Sequence, residues 1–241
     1  MTIKEEDSLT LRMPATRVAF CVFTTVIIGV ICLGMLIGTT LVLIGGEVVL
    51  AMVGYLCVAV MVILFLYVLR DMRSVWGWQV HLEDDTLDLR LPAGRSLSRH
   101  ADRYCGRIPA IQLEAIETRL ESYGSFLASN MHRSYALRLR SGEVILLGED
   151  RALGTAYEMS TLGDHVSKIM QHYDLPLHDL GMAEGKAGIL QVLFSSPPAR
   201  DAPNLDDRSQ GKLWRRAITT GRLSLVMTIL VLIAVIIGFG S

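Results

Sequence analysis

Five arginines, Arg90, Arg95, Arg99, Arg103 and Arg107, stand close together against a single acid, Asp102. Four of them, Arg95, Arg99, Arg103 and Arg107, fall in residues 95–107, a polar stretch that reads as a loop. Guanidinium groups gathered in this way suit contact with phosphate or carboxylate. Close to an anionic bilayer, each base contributes about 1 kcal/mol. An anionic lipid headgroup and an acidic partner are the candidate ligands, and a plainly solvated loop is the bland alternative. A second basic run, Arg208, Lys212, Arg215, Arg216 and Arg222, precedes an apolar stretch, where membrane topology alone explains it. Arg138 and Arg140 share a face with which Glu117, Arg119 and Glu121 can pair across strands. A phosphate site is the alternative there.

Other chemistry fails on spacing. His165 and His172 are seven apart on one helical face, with His178 beyond, whereas paired zinc ligands on a helix sit four apart, as in HExxH. Gly181–Lys186 (GMAEGK) is one residue short of a phosphate loop and is followed by Ala187, where Ser or Thr would hold magnesium. No GxSxG is present. Asp164 and His165 are adjacent only in sequence, and neighbouring side chains diverge on a helix. Cys21, Cys32 and Cys57 lie in apolar runs and Cys105 alone lies outside them, which leaves no disulfide framework or CxxC metal site and suits a reducing compartment. No catalytic residue, cofactor or metal is therefore expected. A formal net charge of −1 argues against nucleic acid as a partner.

The elements that must position these residues begin with two apolar runs, residues 18–44 and 48–69, separated by Gly45-Gly46-Glu47. A span needs roughly 20 apolar residues, so this is a transmembrane hairpin, too long and too promptly repeated for a signal peptide. Neither run carries an ionisable residue at depth, which speaks against an ion or proton pathway. Gly34 and Gly38 form a GxxxG spacing expected to pack on the neighbouring helix through Gly54, with dimerisation as the alternative. Residues 1–17 read as a short mobile tail. Arg70 and Arg73, followed by Trp76 and Trp78, mark a cytosolic boundary, and the opposite turn has only Glu47.

From Trp76 the period changes to alternation. Val80 and Leu82, then Leu87, Leu89 and Leu91, form a hairpin. Residues 107–113 form an edge strand limited by Pro109, and residues 116–122 form another strand. Tyr135, Leu137 and Leu139 turn at Ser141-Gly142 and return along residues 143–147. Thr155 and Glu158 have capping-box spacing, and Leu162, Val166, Ile169 and Tyr173 recur as an amphipathic helix ending near Asp174 and Pro176. Residues 176–222 read as a linker and basic juxtamembrane segment, in which 189–194 could be an edge strand or an interfacial turn. Residues 223–239 read as a third span, carrying the C-terminus outward.

Antiparallel strands closed by one amphipathic helix and joined to a two-helix hairpin resemble the bacterial membrane-anchored proteins with pleckstrin-homology-like (PH-like) domains. The resemblance covers residues 78–173 and the hairpin, and it implies a membrane-associated or assembly role. The chain departs from the simplest form of that pattern by its further segment and third span.

The expected fold is therefore an α+β membrane protein. It has a cytosolic tail (1–17), a transmembrane hairpin, a PH-like cytosolic domain (76–175), a linker and a C-terminal span in a bacterial inner membrane. The expected function is that of a non-catalytic accessory subunit, assembly factor or scaffold, contacting membrane lipids and other membrane subunits or a second copy. An anionic-lipid headgroup sensor is the alternative, and an enzyme subunit completed by a partner is a weaker one.

Overall fold

The computed structural model describes residues 9–96, 101–124, 129–152, 161–186 and 196–220, together with 222 and 226. Helices α1 (Ala15–Ile44) and α2 (Val48–Val75) form an antiparallel hairpin. With 30 and 28 residues rising about 1.5 Å each, both are long and apolar enough to cross a membrane. Phe20, Val30, Ile44, Val49 and Leu56 are all more than 60% exposed. A surface that apolar suits lipid rather than water.

The helices meet through Gly54, where an added Cβ would fall 2.7 Å from the Thr39 hydroxyl, and through Gly29, which faces the Phe65 ring at 3.2 Å. Among the described residues, Gly34 and Gly38 meet nothing within 4 Å. The GxxxG pair therefore does not face α2, contrary to expectation, because Gly54 lies opposite Thr39 rather than opposite the glycines.

Four antiparallel strands form the first sheet in chain order: β1 (Leu9–Arg12), β2 (Gln79–Leu82), β3 (Thr86–Leu91) and β4 (Tyr104–Pro109). The expected mobile tail thus supplies an edge strand, Leu9 opposite Leu82 and Arg12 opposite Gln79. Its partner lies on the far side of the hairpin in sequence, so α1 and α2 together return the chain to the side from which it entered. Burial of Leu11 under this pairing holds the tail. Trp78, expected at the headgroup level, is instead 2% exposed in the core. Its indole N–H donates to the Leu147 carbonyl at 3.0 Å.

The second sheet runs β7-β6-β5-β8, from β5 (Leu113–Gly124), β6 (Ser129–Leu139), β7 (Val144–Ala152) and β8 (Leu177–Lys186). Strand β8 lies parallel to β5 in a stretch expected to be linker. Gly181 breaks its alternation: with φ +74° and Asn204 only 2.3 Å from where a Cβ would sit, the position admits glycine alone. Residues 207–220 are helical, and Leu213 and Ala217 pack on Leu120, Met131 and Met182. The expected strand or turn at 189–194, the capping pair Thr155 and Glu158, and the third span apart from Val226 lie outside the described residues.

Helix α3 (Thr161–Tyr173) closes a core shared by both sheets, setting Leu162, Val166 and Ile169 against Val80, Leu89, Ile116, Leu137 and Leu147. Asp150 on β7 caps it, accepting from the Leu162 and Gly163 N–H groups at 3.2 and 2.8 Å. At the other end the Tyr173 hydroxyl reaches the Glu83 and Thr86 carbonyls, 2.8 and 2.6 Å away, at the β2–β3 turn. Burial there pushes its pKa up to about 12.

Gly54→Val is expected to destabilise the detergent-solubilised protein by about 1–3 kcal/mol through overpacking. Gly34→Val should stay within about 0.5 kcal/mol of wild type. Thermal unfolding of the two variants checks this, and equal effects would contradict the packing described.

Candidate functional site

Where α2 leaves its apolar stretch, its last turns lie beside the ends of β3 and β4. A cleft of about 710 Å³ opens there, lined by Met72, Arg73, Trp76, Arg90, Pro92 and Arg103 among others. A second cavity of about 430 Å³ adjoins it, sharing Arg73 and Ala93 and extending along α2 to Leu69 and Leu66. The antiparallel register places Arg90 opposite Cys105 and Leu91 opposite Tyr104, and this brings Arg90 beside Arg103. Arg73 arrives from the helix. All three arginines are exposed, and among the described residues no acid lines the cleft, although Asp102 lines the adjoining cavity. Trp76, 58% exposed, supplies an aromatic wall. Three guanidinium groups beside apolar side chains can hold an anion that carries an apolar part.

The four arginines expected to share one surface are separated. Arg103 lines the cleft, and Arg99 lies outside the described residues. Arg107 pairs with Glu83 at 3.3 Å on the exposed surface, a contact of small energetic weight.

Arg95 is a correction. It is 7% exposed, and its guanidinium donates to the Leu146 carbonyl at 2.6 Å, the Pro92 carbonyl at 3.0 Å and the Asp102 carbonyl. Burial lowers its pKa, with Asp102 acting the other way. It ties the β3–β4 connection to β7 and is not available to a ligand.

The bases expected beside the membrane also divide by role. Arg70 donates to the Ser96 carbonyl at 2.9 Å, docking α2 onto that same connection, whereas Arg73 faces the cleft. Lys212, Arg215 and Arg216 are exposed on the helical residues 207–220, and Arg222 is exposed beyond them.

Arg90, counted with the basic cluster but not among the contact residues, belongs to the cleft. The signal that reveals it is the start of β4 at Tyr104, three residues before the expected strand.

The expected wet face around Arg138 is covered. Glu117, Arg119 and Glu121 are 4%, 4% and 0% exposed. Arg138 and Arg200 both reach Glu117, at 3.1 and 2.7 Å. Arg140 turns instead to the Leu113 carbonyl. Arg119 donates to the carbonyls of Ala199 and Ala202 at 2.8 and 2.7 Å, binding residues 199–202 across the sheet.

The histidines are dispersed. His165 stacks on Trp78 with ring centroids 5.2 Å apart, His172 meets Tyr173 edge-on, and His178 is exposed on β8. Among the described residues no group of three His, Cys, Asp or Glu side chains could hold a metal ion.

Burial pushes the His165 imidazole below its ordinary value. Lys168 and Arg17 act with burial, and Asp164 and the Arg12 backbone act against it. The folded protein therefore holds fewer protons there than the unfolded chain, whose imidazole titrates near about 6.5. Stability is untouched above that range and falls as the pH drops through it toward the depressed folded value. His165→Phe is expected to flatten the decline in thermal midpoint between pH 7 and pH 5, and parallel curves for wild type and variant would refute the assignment. Arg95→Met strands three carbonyls and should cost about 2–3 kcal/mol of stability, read by unfolding at neutral pH.

No protein-family model, curated protein or solved structure matches this chain, so the cleft is read from its own geometry.

Proposed function

We propose that the chain is a non-catalytic integral membrane protein whose PH-like domain serves as a fixed docking platform for a membrane complex, as an accessory subunit, assembly factor or scaffold. The observation that carries this reading is the attachment of the domain to its anchor. Strand β1 precedes the hairpin and β2 follows it, yet they pair with each other. Arg70 binds the Ser96 carbonyl, and Arg17 at the start of α1 lies 3.9 Å from Asp150, which caps α3. A domain held at three places cannot swing on a tether. It presents its surface at one height above the bilayer, which raises its effective concentration for membrane-bound partners.

The meander β1–β4, the second meander β5–β7 and the closing helix α3 around one core support the PH-like reading. Arg12, Arg17, Arg70 and Arg73 flank the hairpin on one side and Glu47 lies at the other, supporting a cytosolic domain in a bacterial inner membrane. The apolar composition of residues 223–239 suits a third span, which would carry the C-terminus outward. The Gly34–Gly38 face of α1, open among the described residues, is where another span would approach most closely.

Extraction of the native protein in a mild detergent, followed by sizing and identification of co-migrating chains, tests the proposal. A discrete assembly larger than the monomer, containing at least one other membrane protein, is expected. A lone monomer, or turnover of a substrate by the purified chain, would overturn it.

A further inference from the structure

We infer that the cleft between the end of α2 and the β3–β4 edge binds one anionic phospholipid, its phosphate held by Arg73, Arg90 and Arg103 and an acyl chain lying along Leu69 and Leu66. The inference goes beyond a docking role and rests only on α2 crossing a bilayer.

Three observations support the inference, and the second separates a lipid from a soluble anion. The first is charge: three arginines from three different elements line a single cleft in which, among the described residues, no acid appears, and the adjoining cavity adds Arg70 and one acid, Asp102. Among the described residues none of the three is engaged in an ion pair. Topology explains the charge of Arg73, because it follows an apolar span, but does not require Arg90 on β3 or Arg103 before β4.

The second is the apolar lining. Met72, Trp76 and Pro92 stand beside the arginines, and the adjoining cavity continues along α2 to Leu69 and Leu66. From Arg73 to Leu66 the helix rises about 10 Å, which corresponds to most of one leaflet's hydrocarbon depth, about 15 Å. Such a groove matches a headgroup above and a chain below. An inorganic phosphate or a sugar phosphate would leave the lower part empty.

The third is rigidity. Arg70, three residues before Arg73, holds α2 to the Ser96 carbonyl, and buried Arg95 ties the same connection to β7. The two walls of the cleft are thereby fixed relative to each other before any ligand arrives, so little ordering cost falls on binding. With about 710 Å³ available, the cleft is of the size that takes a small organic ligand.

The test uses the full chain, reconstituted in nanodiscs of phosphatidylcholine with a minor fraction of phosphatidylglycerol. The protein is then re-extracted in a mild detergent, and retained lipid is measured by native mass spectrometry. Wild type is expected to retain one phosphatidylglycerol in preference to phosphatidylcholine, and added inorganic phosphate at millimolar concentration should not displace it.

Arg90→Gln or Arg103→Gln alone should lower retention about fivefold, and the triple variant with Arg73→Gln about a hundredfold. Arg107→Gln, whose residue lies outside the cleft, should retain lipid as wild type does. The single variants alter exposed side chains, so they report even where the triple variant is poorly folded. Equal retention by wild type and both single variants, equal retention of phosphatidylcholine, or displacement by inorganic phosphate would each overturn the inference. Release of the protein from native membranes by alkaline carbonate would overturn it together with the membrane-spanning reading. Lipid retention without any co-extracted partner protein would leave it standing while the docking proposal fell.

Discussion

The pairing of β1 with β2 is the contact on which the rest of the structure depends. These two four-residue strands are separated in sequence by the entire hairpin, yet Leu9, Thr10, Leu11 and Arg12 lie opposite Leu82, His81, Val80 and Gln79. Backbone hydrogen bonds between strands form only if α1 and α2 bring the chain back to one side, so the ladder and the hairpin turn at Gly45-Gly46 specify each other. Closure of this long loop carries an entropic cost that grows only slowly with its length. Helix packing at Gly54 and Gly29 offsets it by holding the two ends close together. Once β2 is aligned, Trp78 falls into the core against Leu147 and His165, and Arg70 is carried to the Ser96 carbonyl. Anchor and domain thus share a sheet and a set of polar contacts.

Charge inside the domain serves cohesion in some places and leaves guanidinium groups facing a cleft in others. On the second sheet, Glu117 is buried between Arg138 and Arg200, and Arg119 is bonded to the carbonyls of residues 199 and 202. Loss of one member of such a set leaves its partner buried and uncompensated, so these residues hold residues 199–202 across the sheet and are not free for ligands. Arg95 belongs with them, spent on three carbonyls. Arg73, Arg90 and Arg103 differ in lining open space with no ion-pair partner among the described residues, and such a guanidinium beside apolar side chains is the feature a ligand can use.

Much of this architecture was legible in the residues. Two uninterrupted apolar runs around a Gly-Gly turn could only be long helices, and the alternation of Leu87, Leu89 and Leu91 or of Tyr135, Leu137 and Leu139 showed which strand faces were buried. Non-local pairings were the part that could not be read. Strand β1 is only four residues long, next to Met13 and Pro14, and its partner lies across the hairpin. Strand β8 looked like a glycine-rich linker because Gly181 and Gly185 interrupt its pattern, and only its parallel register with β5 makes it a strand. Arg95 and Arg103 have the same chemistry in the same polar stretch. Composition cannot say that one points at Leu146 and the other into a cleft, since that depends on where β4 begins. Trp76 and Trp78 pose a related ambiguity: two tryptophans after a span look alike until one is committed to a core.

The measurement that tests the central claim most directly is cysteine cross-linking across the hairpin in native membranes. With the four native cysteines replaced, Thr10→Cys and His81→Cys stand directly opposite each other in the register, where the native side chains lie 2.7 Å apart. Mild oxidation is expected to join them within one chain, and a pair displaced by two residues along β1 should join far less. Failure of the opposed pair to cross-link, or labelling of the two positions from opposite sides of the membrane, would contradict a sheet that closes across the hairpin.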